Sequence, residues 1–297
     1  MAVAALVAPA EEPLLVVEDL RVDVEDVPAC DGLTLRTRGD RVLVLGAPRA
    51  LQEAICGTRP VVRGALRIRG TAAGLAARDG IVAGAPLDPP LPPKWTAIEY
   101  VTWSARLAGH SASDARALAK DAIALVQLGA MATHPIARLV PHARRGVVLA
   151  AALATDAGVL VVEDPLAGLP EEIARTWARI MVQALADRAW LILASRVALT
   201  SPLAMEADEA LLVTSSRLLA QGPPAEIAAA DRRFVARIHG PLEELGARLV
   251  ERGGRMEVQG AQVLIDLGTT TTAELLGMCT ELEATVVEMV PLARALT

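Results

Sequence analysis

The sequence predicts an α/β fold, with a mainly parallel core sheet, an antiparallel β-rich start and a small α+β module at the end. Three observations predict it. Val159-Leu160-Val161-Val162 is a continuous apolar run stopped by Pro165, and such a run bounded by turn signals reads as a strand buried on both faces, as in a parallel sheet. Arg41–Leu45 and Trp190–Ala194 are written the same way, with helix-length segments between the three. From Phe234 onward the pattern changes to short alternating strands and two amphipathic helices in the order βαββαβ, which is the order of a ferredoxin-like module.

Composition sets the outer bounds. At 297 residues and 53% hydrophobic the chain can bury one large core and one small one. A net charge of -6 lacks the basic footprint that nucleic-acid binding requires. Cys30, Cys56 and Cys279 are odd in number and have no metal-ligand spacing, so they read as small core residues in a reducing compartment. No apolar run reaches the ~18 residues of a membrane span. Met1 to Ala10 is apolar but lacks a basic start, so residues 1–13 read as a loose tail rather than a signal peptide.

The elements follow in order. Leu14–Val17 and Leu20–Val24 read as two short strands, and Gly32–Arg36 alternates as a third. Arg41–Leu45 is a buried strand ending at Gly46, Gly64–Gly70 encloses another alternating strand, and Gly80–Ala83 a short one. Five prolines between Pro86 and Pro93 hold the chain extended. Thr96–Leu107 and Ser111–Gly129 read as helices, with Ser113 and Asp114 as N-cap signals and Gly129 as a stop. An Ala-rich helix runs to Leu153, the buried strand Val159–Val162 follows, and Glu171–Asp187 is a helix. Trp190–Ser195, Ala207–Val213 and Arg217–Pro223 are strands, and Pro224–Ala230 a closing helix.

The chemistry gathers at the strand ends. Glu163 and Asp164 close the strand at Val162, and the carboxyl ends of strands are where open α/β sheets bind ligands. In phosphate-binding proteins such a pair holds Mg²⁺ and positions water. With the flanking Pro165-Leu166-Ala167-Gly168-Leu169, this segment resembles the Walker B and D-loop stretch of ABC-type ATPases, usually hydrophobic-DEP-x-AGLD. The acid pair is reversed here and the D-loop aspartate is Pro170.

The resemblance implies a Walker A loop after Leu45, of the form G-x-x-x-x-G-K-[ST], whose amides, lysine and hydroxyl hold phosphate and Mg²⁺. The aligned residues are Gly46-Ala47-Pro48-Arg49-Ala50-Leu51-Gln52-Glu53. Only Gly46 matches. Leu51 replaces the second glycine, Gln52 the lysine and Glu53 the hydroxyl residue. Unit charges ~4 Å apart repel by roughly 4 kcal/mol at an effective dielectric of 20, so Glu53 opposes a triphosphate directly. Arg49 reads either as a cation reaching phosphate from a new direction or as a solvated loop arginine.

The other stations depart as well. No aromatic residue precedes Trp95 to stack on adenine. The Q-loop glutamine is absent, with Leu87 as the best match for its position. The signature LSGGQ becomes Leu139-Val140-Pro141-His142-Ala143, where His142 reads as a surface histidine at a helix start rather than a base. The H-loop histidine position is Arg196. Pro86–Trp103, with Trp95 and Trp103, reads as a docking loop for a membrane partner or, for the tryptophans, as core of the helical subdomain.

The resemblance covers Leu14 to about Leu296. It implies an ABC-type P-loop NTPase fold over 14–232, with a helical subdomain at about 88–145, and a ferredoxin-like domain over 233–297. A tail of that kind often accompanies ATP-binding subunits of ABC-2-type permeases in the export and gliding group. The expected function is a catalytically degenerate subunit, a scaffold or regulator in a membrane-associated transport or motility machine, with no cofactor. Expected partners are an ABC-2-type permease or another membrane subunit, a second copy or an ABC ATPase, with no nucleic acid. The expected location is cytoplasmic, at the inner face of the membrane. The alternative is an active exporter ATPase that uses ATP and Mg²⁺ in a rebuilt site.

Overall fold

The computed structural model describes residues 12–195, 197–199, 201–229, 233–260 and 262–291. Most of the expected tail and the H-loop position Arg196 lie outside the described residues. The chain divides into two compact units, one of Met1–Arg196 with Pro202–Pro223, the other of Val197–Ser201 with Pro224–Thr297.

The first unit opens with β1 (Leu15–Val24), β2 (Val27–Arg36), β3 (Arg41–Leu45), α1 (Arg49–Ile55), β4 (Arg63–Ile68), β5 (Thr71–Ala72), α2 (Ala73–Arg78) and β6 (Val82–Ala85). A helical region follows, α3 (Ala97–Leu107), α4 (Ala112–Leu125) and α5 (Pro141–Leu153), with two short 3₁₀ turns between α4 and α5. The unit closes with β7 (Val159–Glu163), α6 (Glu171–Ala184), β8 (Ala189–Ala194), α7 (Pro202–Met205), β9 (Glu209–Val213) and β10 (Leu218–Gly222). Strands β2-β1-β4-β5 form an antiparallel sheet. The core sheet has the order β10-β9-β3-β8-β7-β6, parallel except for the β9–β10 hairpin.

Alternation divides the core. Val42, Val44, Val159, Val161, Leu191 and Leu193 share one face of the six-stranded sheet and pack with buried residues of β1, β2, α1 and α2. Their neighbours Leu43, Leu160 and Ile192 are equally buried and point the other way. Burial on both faces is why these strands read as unbroken apolar runs.

Several expectations are corrected. The two strands expected at 14–17 and 20–24 are one strand, β1, with an irregularity at Asp19, whose φ is +45°. Gly64 on β4 accommodates that kink: its φ is +86° and an added Cβ would run into the carbonyl oxygens of Glu18 and Asp19. Strand β2 starts at Val27, not Gly32. Ser111, not Ser113 or Asp114, caps α4, its hydroxyl accepting from the Asp114 N–H. That helix stops at Leu125 rather than Gly129, because Gln127 takes the left-handed conformation at φ +57°. The helix expected to reach Asp187 ends at Ala184.

The second unit contains α8 (Pro224–Ala229), β11 (Arg233–His239), α9 (Leu242–Glu251), β12 (Arg255–Gln259), β13 (Gln262–Asp266), α10 (Thr272–Glu281) and β14 (Thr285–Pro291). Its antiparallel sheet has the order β12-β13-β11-β14. The crossover βαββαβ order and central β11 and β13 are the ferredoxin-like arrangement. Phe234, Ile238, Leu245, Leu249, Ile265, Leu275 and Met278 form its own core.

Candidate functional site

The core strands deliver their ends to one region. β3 passes into Gly46, whose φ of +79° turns the chain and whose N–H donates to the Ala194 carbonyl at 3.1 Å. Ala47 and Pro48 complete the loop and α1 begins at Arg49, with Pro48 as N-cap. The Leu51 N–H already donates to the Pro48 carbonyl at 2.9 Å. Leu51 is wholly buried, packed in the core with Ala50, Ala54 and Ile55. Gln52 is 4% exposed, and its amide donates to the Cys56 sulfur at 3.4 Å.

Arg49 is therefore neither a loop residue nor a free cation. Its Nε lies 3.3 Å from Glu53 Oε1, one helical turn on, and 3.2 Å from Glu163 Oε1 at the end of β7. The second oxygen of Glu53 accepts from Arg59 Nε. The second oxygen of Glu163 accepts the Leu87 backbone N–H at 2.9 Å. Arg59, Glu53, Arg49 and Glu163 thus form a chain of alternating charge, with formal charges that cancel. Glu163 is the buried member, its side chain 8% exposed, while that of Arg49 is 58% exposed. Below this chain, burial and then the Glu163 charge push the Cys56 thiol up to about 12.

Asp164 follows in a left-handed conformation, φ +40°, with its N–H donating to Leu193 O at 2.7 Å. Its Oδ1 is buried and meets no donor among the described residues. Among the described residues no group of three His, Cys, Asp or Glu side chains is placed to hold a metal ion.

The signature-like segment starts α5. Val140 is its N-cap without a side-chain hydrogen bond, and Pro141 occupies the first turn, where its missing N–H costs nothing to the helix. His142 follows on that turn and is half-buried, not the surface histidine the sequence predicts. Pro170, at the D-loop aspartate position, is the N-cap of α6.

The residues expected to dock a partner part company. Leu87 is held at Glu163 and lines a 410 Å³ cavity with Asp88, Leu91, Ile136, Arg144 and Val148. Trp95 and Trp103 meet edge to face, ring centroids 5.7 Å apart, with exposures of 37% and 46%. Neither tryptophan is among the buried core residues, and Trp103 also packs against Tyr100, ring centroids 6.2 Å apart. Beside the edge strand β6 a wider cleft of 730 Å³ is lined by Tyr100, Ser104, His110, Asp79 and Asp156. Arg59 escaped the sequence reading. Its only signal was a cation six positions after Glu53, returned by the turn at Gly57, whose φ is +69°.

Strand order and loop placement give the chain the α/β fold of ABC-transporter ATP-binding domains. Its solved structural neighbours include CbiO1 of Clostridium perfringens, part of the ABC transporter complex CbiONQ, at TM-score 0.63 and 17% identity over 82% of this chain and 98% of that one. MJ1267, an ATP-binding cassette of an ABC transporter, superposes at TM-score 0.60 and 14% identity, covering 73% of this chain and 95% of the other. In sequence the chain is similar to the hemin import ATP-binding protein HmuV of Streptomyces coelicolor, 29% identical over 232 residues, 73% of this chain and 80% of that protein. It is also 32% identical to the taurine import ATP-binding protein TauB of Burkholderia pseudomallei over 136 residues, 44% of this chain and 51% of the relative. No protein-family model matches the chain. Among the described residues no helix is long and apolar enough to cross a membrane.

Proposed function

We propose that this chain is a catalytically degenerate ABC ATP-binding-type subunit that serves a membrane transport machine as a scaffold or regulatory partner. The observation that carries the reading is the ion-pair chain through Arg49. The residues at the phosphate stations are engaged with one another: Arg49 with Glu53 and Glu163, Glu53 with Arg59, and Glu163 with the Leu87 N–H. These residues do not fit a magnesium triphosphate. An anion would have to displace Glu163 and Glu53 from Arg49 and would then face both carboxylates. Leu51 adds a side chain that belongs to the core, where a phosphate loop needs close backbone approach.

Partner docking is assigned to the Pro86–Trp103 region, where the exposed tryptophan pair and the two clefts beside α5 lie. Aromatic anchors of this kind dominate interface energetics. The partner is a permease-type membrane subunit at the cytoplasmic face, with the ABC-2 type as the specific proposal from the ferredoxin-like tail. A second reading has its own support: the similar sequences are named as import ATP-binding proteins, which favours an ATP-hydrolysing importer subunit with Arg49 as the phosphate cation. Isothermal titration of the purified chain with Mg-ATP separates the two. The scaffold reading expects no heat of binding up to millimolar nucleotide. Micromolar binding that Arg49→Ala abolishes establishes the second reading.

A further inference from the structure

Beside Glu163 lies a cavity of about 10 Å³. Its walls are mostly apolar, with Val162 and Met181 among them, and four polar groups interrupt them: Arg145, Trp177, Glu163 and Pro165. Two of these are donors left over by the fold. The indole Nε1 of Trp177, a residue 3% exposed, and the Nε of Arg145 are both buried and meet no acceptor among the described residues. The other two are acceptors with capacity to spare. The Pro165 carbonyl takes one bond, from Arg145 Nη1 at 3.2 Å. The Glu163 carboxylate takes the Leu87 N–H on one oxygen and Arg49 on the other, against about four lone-pair sites.

A buried donor without an acceptor is costly, and two on residues that line one cavity is a coincidence that folded proteins rarely carry. The volume selects the ligand. A single water needs roughly 10–15 Å³ of such space and two to four polar partners, whereas inorganic anions are larger and would face the Glu163 carboxylate. We infer that this cavity is a binding site for one ordered water molecule, which accepts from Trp177 Nε1–H and Arg145 Nε–H and donates to Glu163 and the Pro165 carbonyl. Glu163 is then held by Arg49, by the Leu87 N–H and by the water. The inference is independent of whether nucleotide binds.

The four tryptophans give four indole N–H signals in a ¹⁵N-labelled sample, and Trp177→Phe identifies the one at issue by its loss. In the wild-type chain the Trp177 indole proton is expected to show a cross-peak to a long-lived water and slowed exchange with solvent. A crystal structure of the wild-type chain is expected to place one density peak within hydrogen-bond distance of all four groups. An indole proton with no water cross-peak, or a cavity without density at about 1.8 Å resolution, overturns the assignment. If Trp177→Phe does not fold, through-bond connectivity from the Trp177 backbone amide to its indole supplies the assignment instead, and the same two readouts apply.

Discussion

Removing the Arg49 guanidinium tests the central ion-pair chain most directly. In Arg49→Ala, Glu163 keeps the Leu87 N–H but loses its counter-charge, at a side chain only 8% exposed in the wild-type chain. Breaking a fully buried pair costs about 3–5 kcal/mol, and an exposed pair is worth about 0–1 kcal/mol. With one partner buried and the other more than half exposed, the expected loss is about 1–3 kcal/mol. Glu163→Gln removes the charge itself and keeps the acceptor for Leu87, so it is expected to cost less than Arg49→Ala. The double variant should then lose less than the sum of the two, which is the signature of direct coupling. All four tryptophans, Trp95, Trp103, Trp177 and Trp190, belong to the first unit, so urea unfolding followed by tryptophan fluorescence reports on that unit alone. Strict additivity, or a loss below about 0.5 kcal/mol for Arg49→Ala, refutes the view that Glu163 depends on Arg49.

Four further outcomes follow from other parts of the chain. Introducing the phosphate-loop pattern with Leu51→Gly, Gln52→Lys and Glu53→Ser should lower stability by at least about 3 kcal/mol, because Leu51 is wholly buried, and it should not create Mg-ATP binding by titration calorimetry. Gly64→Ala should cost more than about 2 kcal/mol in the same fluorescence assay, since the site combines φ +86° with carbonyl oxygens where the methyl would lie. For Asp208, burial raises the carboxyl pKa, but the Arg41 side chain and the Arg41 and Asp40 amides outweigh it and hold it below the ordinary 3.8. A depressed folded-state pKa means stability present above the unfolded value and lost as pH falls through the folded one. Wild type should therefore exceed Asp208→Asn in stability at pH 6, and the difference should fade only below about pH 3.8. Burial pushes the Cys30 thiol up to about 11 and that of Cys56 to about 12, and raises Cys279, so iodoacetamide at pH 8 should label none of them rapidly until the chain is unfolded.

The parallel sheet was legible because burial on both faces leaves no room for polar residues: Val159–Val162 and Trp190–Ala194 can be read without a structure. The ferredoxin-like module was legible for a related reason, since its strands alternate and its helices are amphipathic. Local exceptions hid the rest. The kink at Asp19 leaves no mark in hydrophobic pattern, and its counterpart Gly64 lies forty-five residues away, so one strand read as two. Gln127 ended α4 early by a backbone conformation that its side chain does not announce. At the site, the departure from the resembled phosphate-loop pattern was plain in Leu51, Gln52 and Glu53. The ion pairs there were not, because Arg49 meeting Glu163 and Arg59 meeting Glu53 are contacts of the folded chain. Leu87 shows the limit well: only its backbone N–H reaches Glu163, and a backbone contact carries no residue signature.

Strand β6 has a consequence for the behaviour of this chain in concentrated solution. It forms one margin of the six-stranded sheet, it spans only Val82–Ala85, and Pro86 follows it at once. Sheet margins recruit foreign strands when they are long and flat. A margin of four residues leading into a proline-rich segment offers too few free amides to template such growth, so this side of the domain is guarded against amyloid-like stacking by its own brevity.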